Sequence, residues 1–163
     1  MKNLLLIIVL FISLNLAAQE IPVSTYYLIR HAEKVKSENP DPVLHTDGIA
    51  RAENWAEIFR NVSFDAIYST NYIRTKETVK PTANKQNIEL TIYHPININY
   101  GEFKTHTHGK TVLVVGHSNT IPAFVNKLIN ADKYEMIEEN NNSNLYIVQI
   151  AGNVVTDQVL YLN

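Results

Sequence analysis

Residues 25–34 read TYYLIRHAEK, an apolar run that ends in a cluster of charged and ionisable side chains. The run Thr25–Ile29 is rich in β-branched and aromatic residues, which is typical of a buried strand. Arg30 and His31 follow it directly. In open α/β sheets, ligands bind beyond the carboxyl ends of the strands. This stretch therefore predicts an α/β fold with a functional site that begins at Arg30.

The rest of the chain alternates strand-like and helix-like segments. We predict further strands at residues 65–69, 88–92 and 110–115, and a closing hairpin at residues 145–155. Helices are predicted at residues 46–59, 73–83 and 122–129, with Thr46 as the first N-cap and Pro81 as a point where the second helix can break. The apolar face of the first helix comprises Ile49, Ala52, Trp55, Ala56 and Phe59. This order predicts a three-layer α/β/α sandwich with a mostly parallel central sheet.

The amino terminus has the layout of a secretory signal peptide. One lysine precedes the apolar run LLLIIVLFI at residues 4–12, and small residues follow at Ala17 and Ala18. Ser13 and Asn15 interrupt the apolar run well short of the length of about 20 residues that a membrane-spanning helix needs. We therefore predict a signal peptide at residues 1–18, a single domain at residues 19–163, export to the periplasm or the medium, and no stable membrane anchor after cleavage.

The composition excludes several classes of protein. The chain has no Cys, which excludes disulfides, thiolate zinc sites, iron–sulfur clusters and a cysteine nucleophile. It has 14 Lys and Arg against 16 Asp and Glu, and the resulting charge of −2 argues against binding to nucleic acid. With only five Gly, the sequence has little material for Gly-rich nucleotide loops.

Cationic and imidazole side chains follow three of the predicted strands. Arg30 and His31 follow the first strand, Arg74 follows the second, and His117 follows the fourth. Two guanidinium groups can hold a phosphate or a carboxylate with paired hydrogen bonds, and helix N-termini add amide donors. One imidazole can then act as a nucleophile while the other contacts a phosphate oxygen.

These segments resemble the histidine phosphatase superfamily, which includes the cofactor-dependent phosphoglycerate mutases. The sequence Arg30-His31-Ala32-Glu33 is similar to the Arg-His-Gly-Glu signature of that family, with Ala32 in place of Gly. The stretch from Ser69 to Thr78 resembles its second-arginine segment, and Gly116-His117-Ser118 resembles its second-histidine segment. The match runs from about Tyr26 to Ile129. In size the chain is similar to the compact members that dephosphorylate phosphohistidine.

The resemblance implies a phosphoglycerate mutase-like fold and a hydrolase that acts on phosphate monoesters without a metal or another cofactor. His31 would be the nucleophile that is transiently phosphorylated, and Arg30, Arg74 and His117 would form the phosphate pocket. Ser118 and Lys34 would add substrate contacts. Many members supply a general acid after the third strand; in that region the candidates are Glu102, His94 or neither.

Three other interpretations compete with this one. Ser118 approaches the serine-hydrolase elbow, but no His follows His117 in the sequence to complete a triad. His94, His106 and His108 could bind a metal, but no Cys or carboxylate completes an evident ligand set. A non-catalytic module that binds phosphate or sugar phosphate on the same fold stays open. So do the oligomeric state and the substrate, which could be a phosphorylated small molecule, a glycan or a phosphoprotein.

Overall fold

The computed structural model of the chain describes residues 21–162, which form one sheet with helices on both faces. The predicted signal peptide, residues 1–18, lies outside these residues. The strands are β1 (Val23–Arg30), β2 (Ala66–Thr70), β3 (Leu90–Tyr93), β4 (Thr111–Gly116), β5 (Asn144–Ala151) and β6 (Val154–Tyr161). The helices of the described part are α1 (Thr46–Ile58), α2 (Ile73–Gln86), α3 (Tyr100–His106) and α4 (Thr120–Ile129). None of these helices is long and apolar enough to cross a membrane.

The sheet has the strand order β3-β2-β4-β1-β5-β6. The first four strands in this order are parallel, β5 runs antiparallel to β1, and β6 runs antiparallel to β5. In the register of β1 and β4, Arg30 lies beside Gly116. The segments after β1, β2 and β4 therefore meet at one edge of the sheet. The predicted mostly parallel sheet is confirmed.

Alternate residues of the central strands face two separate cores. Leu28 and Val114 belong to one core, together with Phe103 of α3 and Phe124 of α4. Ile29 and Val115, one residue further along their strands, belong to the other core, which contains Trp55 of α1 and Val79 of α2. Such central strands are buried on both faces, which explains why they are almost continuously apolar. Helices therefore cover both faces, and the predicted α/β/α sandwich is confirmed.

The start of α1 differs from the prediction. The N-cap is His45 rather than Thr46, because the His45 ring accepts a hydrogen bond from the Asp47 amide at 3.2 Å. Ile49 is 57% exposed and does not belong to the buried face. Gly48 is buried instead, since this turn packs directly against the backbone of Glu33.

The remaining differences concern the continuity, number and length of the elements. Pro81 does not break α2, whose buried face includes Val79 and Ala83 and packs on the sheet. The short helix α3 was not predicted; the side chain of Asn99 caps it by accepting from the amides of Gly101 and Glu102. The hairpin is also longer than predicted, since β6 extends to Tyr161.

Candidate active site

The carboxyl ends of β1, β2 and β4 border a cavity of about 1170 Å³. Because these strands are parallel, the functional side chains that follow them are brought to one place. Its lining includes seven of the residues that the sequence analysis singled out: Arg30, His31, Lys34, Arg74, His94, His117 and Ser118. Thr70 also lines it.

His31 is buried, and its ring is held by the backbone. Its Nδ1 lies 2.8 Å from the carbonyl oxygen of Ala32. A carbonyl oxygen only accepts hydrogen bonds, so Nδ1 must carry the hydrogen and Nε2 of the neutral ring must carry the lone pair. This is the form of the imidazole that can act as a nucleophile.

The surroundings of His31 keep it neutral. Burial lowers its pKa from 6.5 to about 3, and the nearby Arg30, His117 and Arg74 act in the same direction. The hydrogen bond to the Ala32 carbonyl opposes this effect, because it favours the protonated ring, but it does not outweigh burial. His31 therefore keeps its lone pair throughout the neutral pH range.

The side chain of Arg30, the last residue of β1, is bound by the backbone of the segment that precedes β5. Its Nη1 donates to three backbone carbonyls, those of Glu138 at 2.8 Å, Glu139 at 2.9 Å and Asn141 at 3.0 Å. Its Nε is buried and has no partner among the described residues. Burial lowers the pKa of Arg30, whose charge is partly balanced by Glu139 and Glu33. The guanidinium is thus fixed in place with donor capacity left for an anion.

Arg74 comes from the first turn of α2 and is held from two sides. Its Nη1 lies 3.2 Å from Oδ1 of Asp41, whose carboxylate also accepts from the Ile73 amide and so caps α2. Its Cζ lies 4.4 Å from the centre of the Tyr72 ring, a cation–π contact. Like that of Arg30, the Nε of Arg74 is buried without a partner among the described residues.

His117 completes the group of cationic and imidazole side chains. The centre of its ring lies 5.5 Å from that of His31 and 4.9 Å from that of Tyr72. Its Nε2 lies 3.0 Å from Oγ1 of Thr70, and its Nδ1 lies 3.4 Å from Nη2 of Arg74. Burial, followed by the charges of Arg74 and Arg30, lowers the pKa of His117 to about 4.

A chain of hydroxyl groups determines which nitrogen of His117 carries the hydrogen. The hydroxyl of Thr75 donates to the carbonyl of Thr70 at 2.9 Å, and the hydroxyl of Thr70 donates to Oγ1 of Thr75 at 3.0 Å. In this arrangement Oγ1 of Thr70 accepts from Nε2 of His117, and the contact of Nδ1 with Nη2 of Arg74, which only donates, requires the same tautomer. The lone pair of neutral His117 is therefore on Nδ1, facing Arg74.

The chain's relationship to known proteins agrees with this geometry. The family model of the histidine phosphatase superfamily (branch 1) matches residues 26–108, slightly more than half of the chain. The protein belongs to the histidine phosphatase superfamily. The match contains Arg30, His31 and Arg74, whereas His117 lies beyond it and is brought to them by β4. Membership of this family supports a phosphatase-type enzyme.

Several solved structures share the fold of this protein. A phosphoglycerate mutase from Bacillus anthracis is 14% identical, with a TM-score of 0.67 over 86% of this chain and 94% of the other. The protein histidine phosphatase SixA, solved with tungstate, is 13% identical, with a TM-score of 0.65 over 84% and 96%. A phosphoserine phosphatase variant from Entamoeba histolytica, solved with phosphoserine, is 16% identical, with a TM-score of 0.62 over 82% and 94%. No curated protein matches the sequence.

The signature loop of this protein is held by side chains to which the sequence analysis assigned no role. The amide of Ala32 donates to Oγ1 of Thr78 at 2.8 Å, and Nδ2 of Asn142 donates to the carbonyl of His31 at 2.7 Å. Ala32 is fully buried, so its methyl group is accommodated where the family usually has Gly. Asn142 lies 111 residues from His31, and no local pattern could have revealed the contact.

The structure does not bring every predicted site residue into the cavity. Glu102 is exposed on the first turn of α3 and does not line the cavity, so it is not placed to protonate a leaving group. His94 and the unpredicted Glu138 and Glu139 do line it. Within residues 21–162, no group of three His, Asp or Glu side chains could hold a metal ion.

Proposed function

We propose that this protein is a phosphate monoester hydrolase that works through a phosphohistidine intermediate on His31. The observation that carries the proposal is the state of His31, a buried and neutral imidazole with Nδ1 bound to a carbonyl and Nε2 free. It shares a cavity with two guanidinium groups and a second imidazole. A site that only bound phosphate would gain nothing from a nucleophile kept in this form.

In the first step, the phosphate group of the substrate binds between Arg30, Arg74 and His117. The lone pair on Nε2 of His31 attacks phosphorus, and the bond between phosphorus and the ester oxygen breaks. The electron pair of that bond leaves with the oxygen. Both guanidinium groups stabilise the charge on the transferred phosphoryl oxygens, which is the main requirement of phosphoryl transfer.

The leaving oxygen takes a proton from His94 or from water. Of the two side chains that the sequence analysis named for this role, His94 lines the cavity and Glu102 does not. A substrate with a good leaving group, such as an aryl phosphate, needs little help at this step. A His94→Gln variant that slows the hydrolysis of alkyl phosphates more than that of aryl phosphates would identify His94 as the donor, and equal rates for the variant and the wild-type protein on both substrates would assign the role to water.

In the second step, water attacks the phosphorus of phosphohistidine. The bond between phosphorus and Nε2 breaks, its electron pair returns to the ring, and inorganic phosphate leaves. Because burial and the neighbouring cations disfavour a protonated His31, the free ring is regenerated in its neutral form.

Hydrolysis of p-nitrophenyl phosphate by three forms of the protein tests the proposal. The His31→Asn variant should lose at least about 1000-fold in kcat, and it should still bind sulfate. Glu102→Gln is the matched control, since Glu102 lies on an exposed helix outside the cavity, and it should keep wild-type rates. Turnover that survives in His31→Asn would contradict the proposal. A folded wild-type protein that binds phosphate without turnover would favour the phosphate-binding module.

We also propose that the enzyme is exported and acts on a phosphorylated small molecule, glycan or phosphoprotein outside the cytoplasm. This rests on the layout of residues 1–18 alone. Amino-terminal sequencing of the protein recovered from its host tests it. A first residue near Gln19 supports export with cleavage, and a retained Met1 contradicts it.

A further inference from the structure

The base of the cavity is polar and buried, whereas apolar side chains lie exposed around it. Arg30 and His31 are 5% and 4% exposed, whereas Ile96 is 85% exposed and Met136 is 69% exposed. Ile92, at the end of β3, is exposed as well. All five residues line the same cavity. Exposure thus rises from the cationic base to a rim that contains apolar side chains.

This rim is assembled from two separate parts of the chain. Ile92 and Ile96 belong to β3 and the segment that follows it, while Met136 belongs to the segment that precedes β5. That second segment is tied to the base, because the Ile137 amide donates to the carbonyl of Ser118 at 2.9 Å and Arg30 binds the carbonyls of the two residues that follow. Single exposed apolar residues need no explanation, but their convergence from two segments on one cationic cavity does.

The size of the cavity gives a second, independent indication. A phosphate group has only five non-hydrogen atoms, and sites for whole small molecules have volumes of roughly 300–1,000 Å³. At about 1170 Å³, this cavity can hold a leaving group much larger than the phosphate. Most of the other lining side chains are polar or charged, Lys34 and Asn119 among them, so the apolar side chains of the rim form a distinct patch on a largely polar cavity.

We propose that the rim formed by Ile92, Ile96 and Met136 is a subsite for the leaving group, and that it selects phosphate monoesters with an alkyl or aryl body over sugar phosphates. The inference rests on the proposed function, since it assigns a substrate class to the same site. The exposed apolar side chains gain free energy when an apolar body covers them, whereas hydroxyl groups of a sugar would lose hydrogen bonds to water there.

Binding of alkylphosphonates, measured by calorimetry at one pH, tests the proposal without turnover. Ethyl-, butyl- and hexylphosphonate carry the same head group, and their carbon–phosphorus bond is not hydrolysed. Full burial of a methylene group strengthens binding by about fourfold, so hexylphosphonate should bind the wild-type protein at least about tenfold tighter than ethylphosphonate. The variant Ile96→Ser/Met136→Ser should reduce this ratio to below about threefold.

The control variant is Ile49→Ser, which removes an exposed isoleucine that lies outside the cavity; it should keep the wild-type ratio. Equal affinity for the three phosphonates in a protein that hydrolyses p-nitrophenyl phosphate would overturn the subsite and leave the proposed function standing. Affinity that rises with chain length, in a protein that never forms phosphohistidine, would support the subsite and overturn the hydrolase. A ratio unchanged by Ile96→Ser/Met136→Ser would also overturn the assignment.

Discussion

The two histidines of the cavity carry their hydrogens on opposite nitrogens. Nδ1 of His31 donates to a backbone carbonyl, whereas Nε2 of His117 donates to the hydroxyl of Thr70. His31 can attack phosphorus in this state. His117 cannot donate to an oxyanion through Nδ1 unless that nitrogen first takes up a proton, so the two rings should respond differently when an anion binds.

The first prediction concerns the pH dependence of sulfate binding. Sulfate remains a dianion between pH 8 and pH 5, and its charge near His117 should raise the pKa of that ring from the value of about 4 in the empty site. Binding should then become tighter as the pH falls, by up to about tenfold per pH unit. Calorimetry in buffers of different ionisation enthalpy would show the accompanying proton uptake.

The His117→Gln variant is the control for this prediction, because glutamine carries an amide donor that does not titrate. It should bind sulfate with little dependence on pH. Proton uptake of the same size in this variant would show that another group takes the proton and would contradict the assigned role of His117.

The sequence predicted the ionisable side chains that line the cavity better than the residues that hold them. Arg30, His31, Arg74 and His117 follow strands of an alternating α/β pattern, and parallel strands bring such positions together whatever the details of packing. Tyr72 and Asp41, which hold Arg74, belong to no recognisable pattern. Their contacts depend on how the segment before α1 folds back onto α2, which hydrophobic periodicity does not encode.

At the scale of elements, the start of α1 determines the shape of the signature loop. The carbonyl of Glu33 accepts from the amide of His45 at 2.8 Å. A Cβ atom at Gly48 would lie 2.1 Å from that same carbonyl oxygen. Glycine is required at position 48 because the helix backbone approaches the loop too closely for a Cβ atom. The backbone angles of Gly48 are ordinary and do not by themselves require glycine.

The second prediction follows from this approach. Gly48→Ala must push α1 away from Glu33, which should lower the free energy of unfolding by about 1–3 kcal/mol and reduce kcat, because His31 lies two residues before Glu33. Denaturant unfolding and hydrolysis of an aryl phosphate measure the two effects. Gly101→Ala is the matched control, since Gly101 is exposed on α3 and its added Cβ meets only the side chain of Asn99, at 3.3 Å. Equal stability of both variants would contradict this account.

Strands were easier to predict than helices in this chain. The central strands have both faces buried, so their apolar runs are continuous and unmistakable. The helix α3 has only seven residues, of which Phe103 alone is fully buried, too few for a helical period to emerge. The prediction for Ile49 was wrong for a different reason. Its spacing matches the buried face of α1, but it is exposed, and Gly48 instead packs against the backbone of Glu33.

At the scale of the whole molecule, the site lowers the resistance of the fold to acid. Both His31 and His117 have folded-state pKa values, of about 3 and about 4, that lie below the ordinary value of 6.5. Between pH 6.5 and these values, the unfolded chain binds more protons than the folded chain. The stability of the fold should therefore be complete above pH 6.5 and decline as the pH falls below it.

The third prediction is the size of this decline in the free energy of unfolding. Each histidine contributes a slope of up to about 1.4 kcal/mol per pH unit to the free energy of unfolding. The wild-type slope should exceed that of His31→Gln/His117→Gln by about half of the combined maximum at pH 6.5, where the unfolded rings are half protonated, and should approach about twice the single-ring value near pH 5. Denaturant titrations at several pH values measure the slopes. Equal slopes would show that the two rings are not kept neutral by the fold.

The central claim is that His31 carries the phosphoryl group during turnover. The most direct test mixes the purified protein with an aryl phosphate, quenches the reaction rapidly at alkaline pH, where phosphohistidine survives, and locates the added mass by mass spectrometry. We predict one phosphate on His31 in the wild-type protein and none in His31→Asn. A phosphate on another residue, or released phosphate with no adduct on His31, would contradict the account.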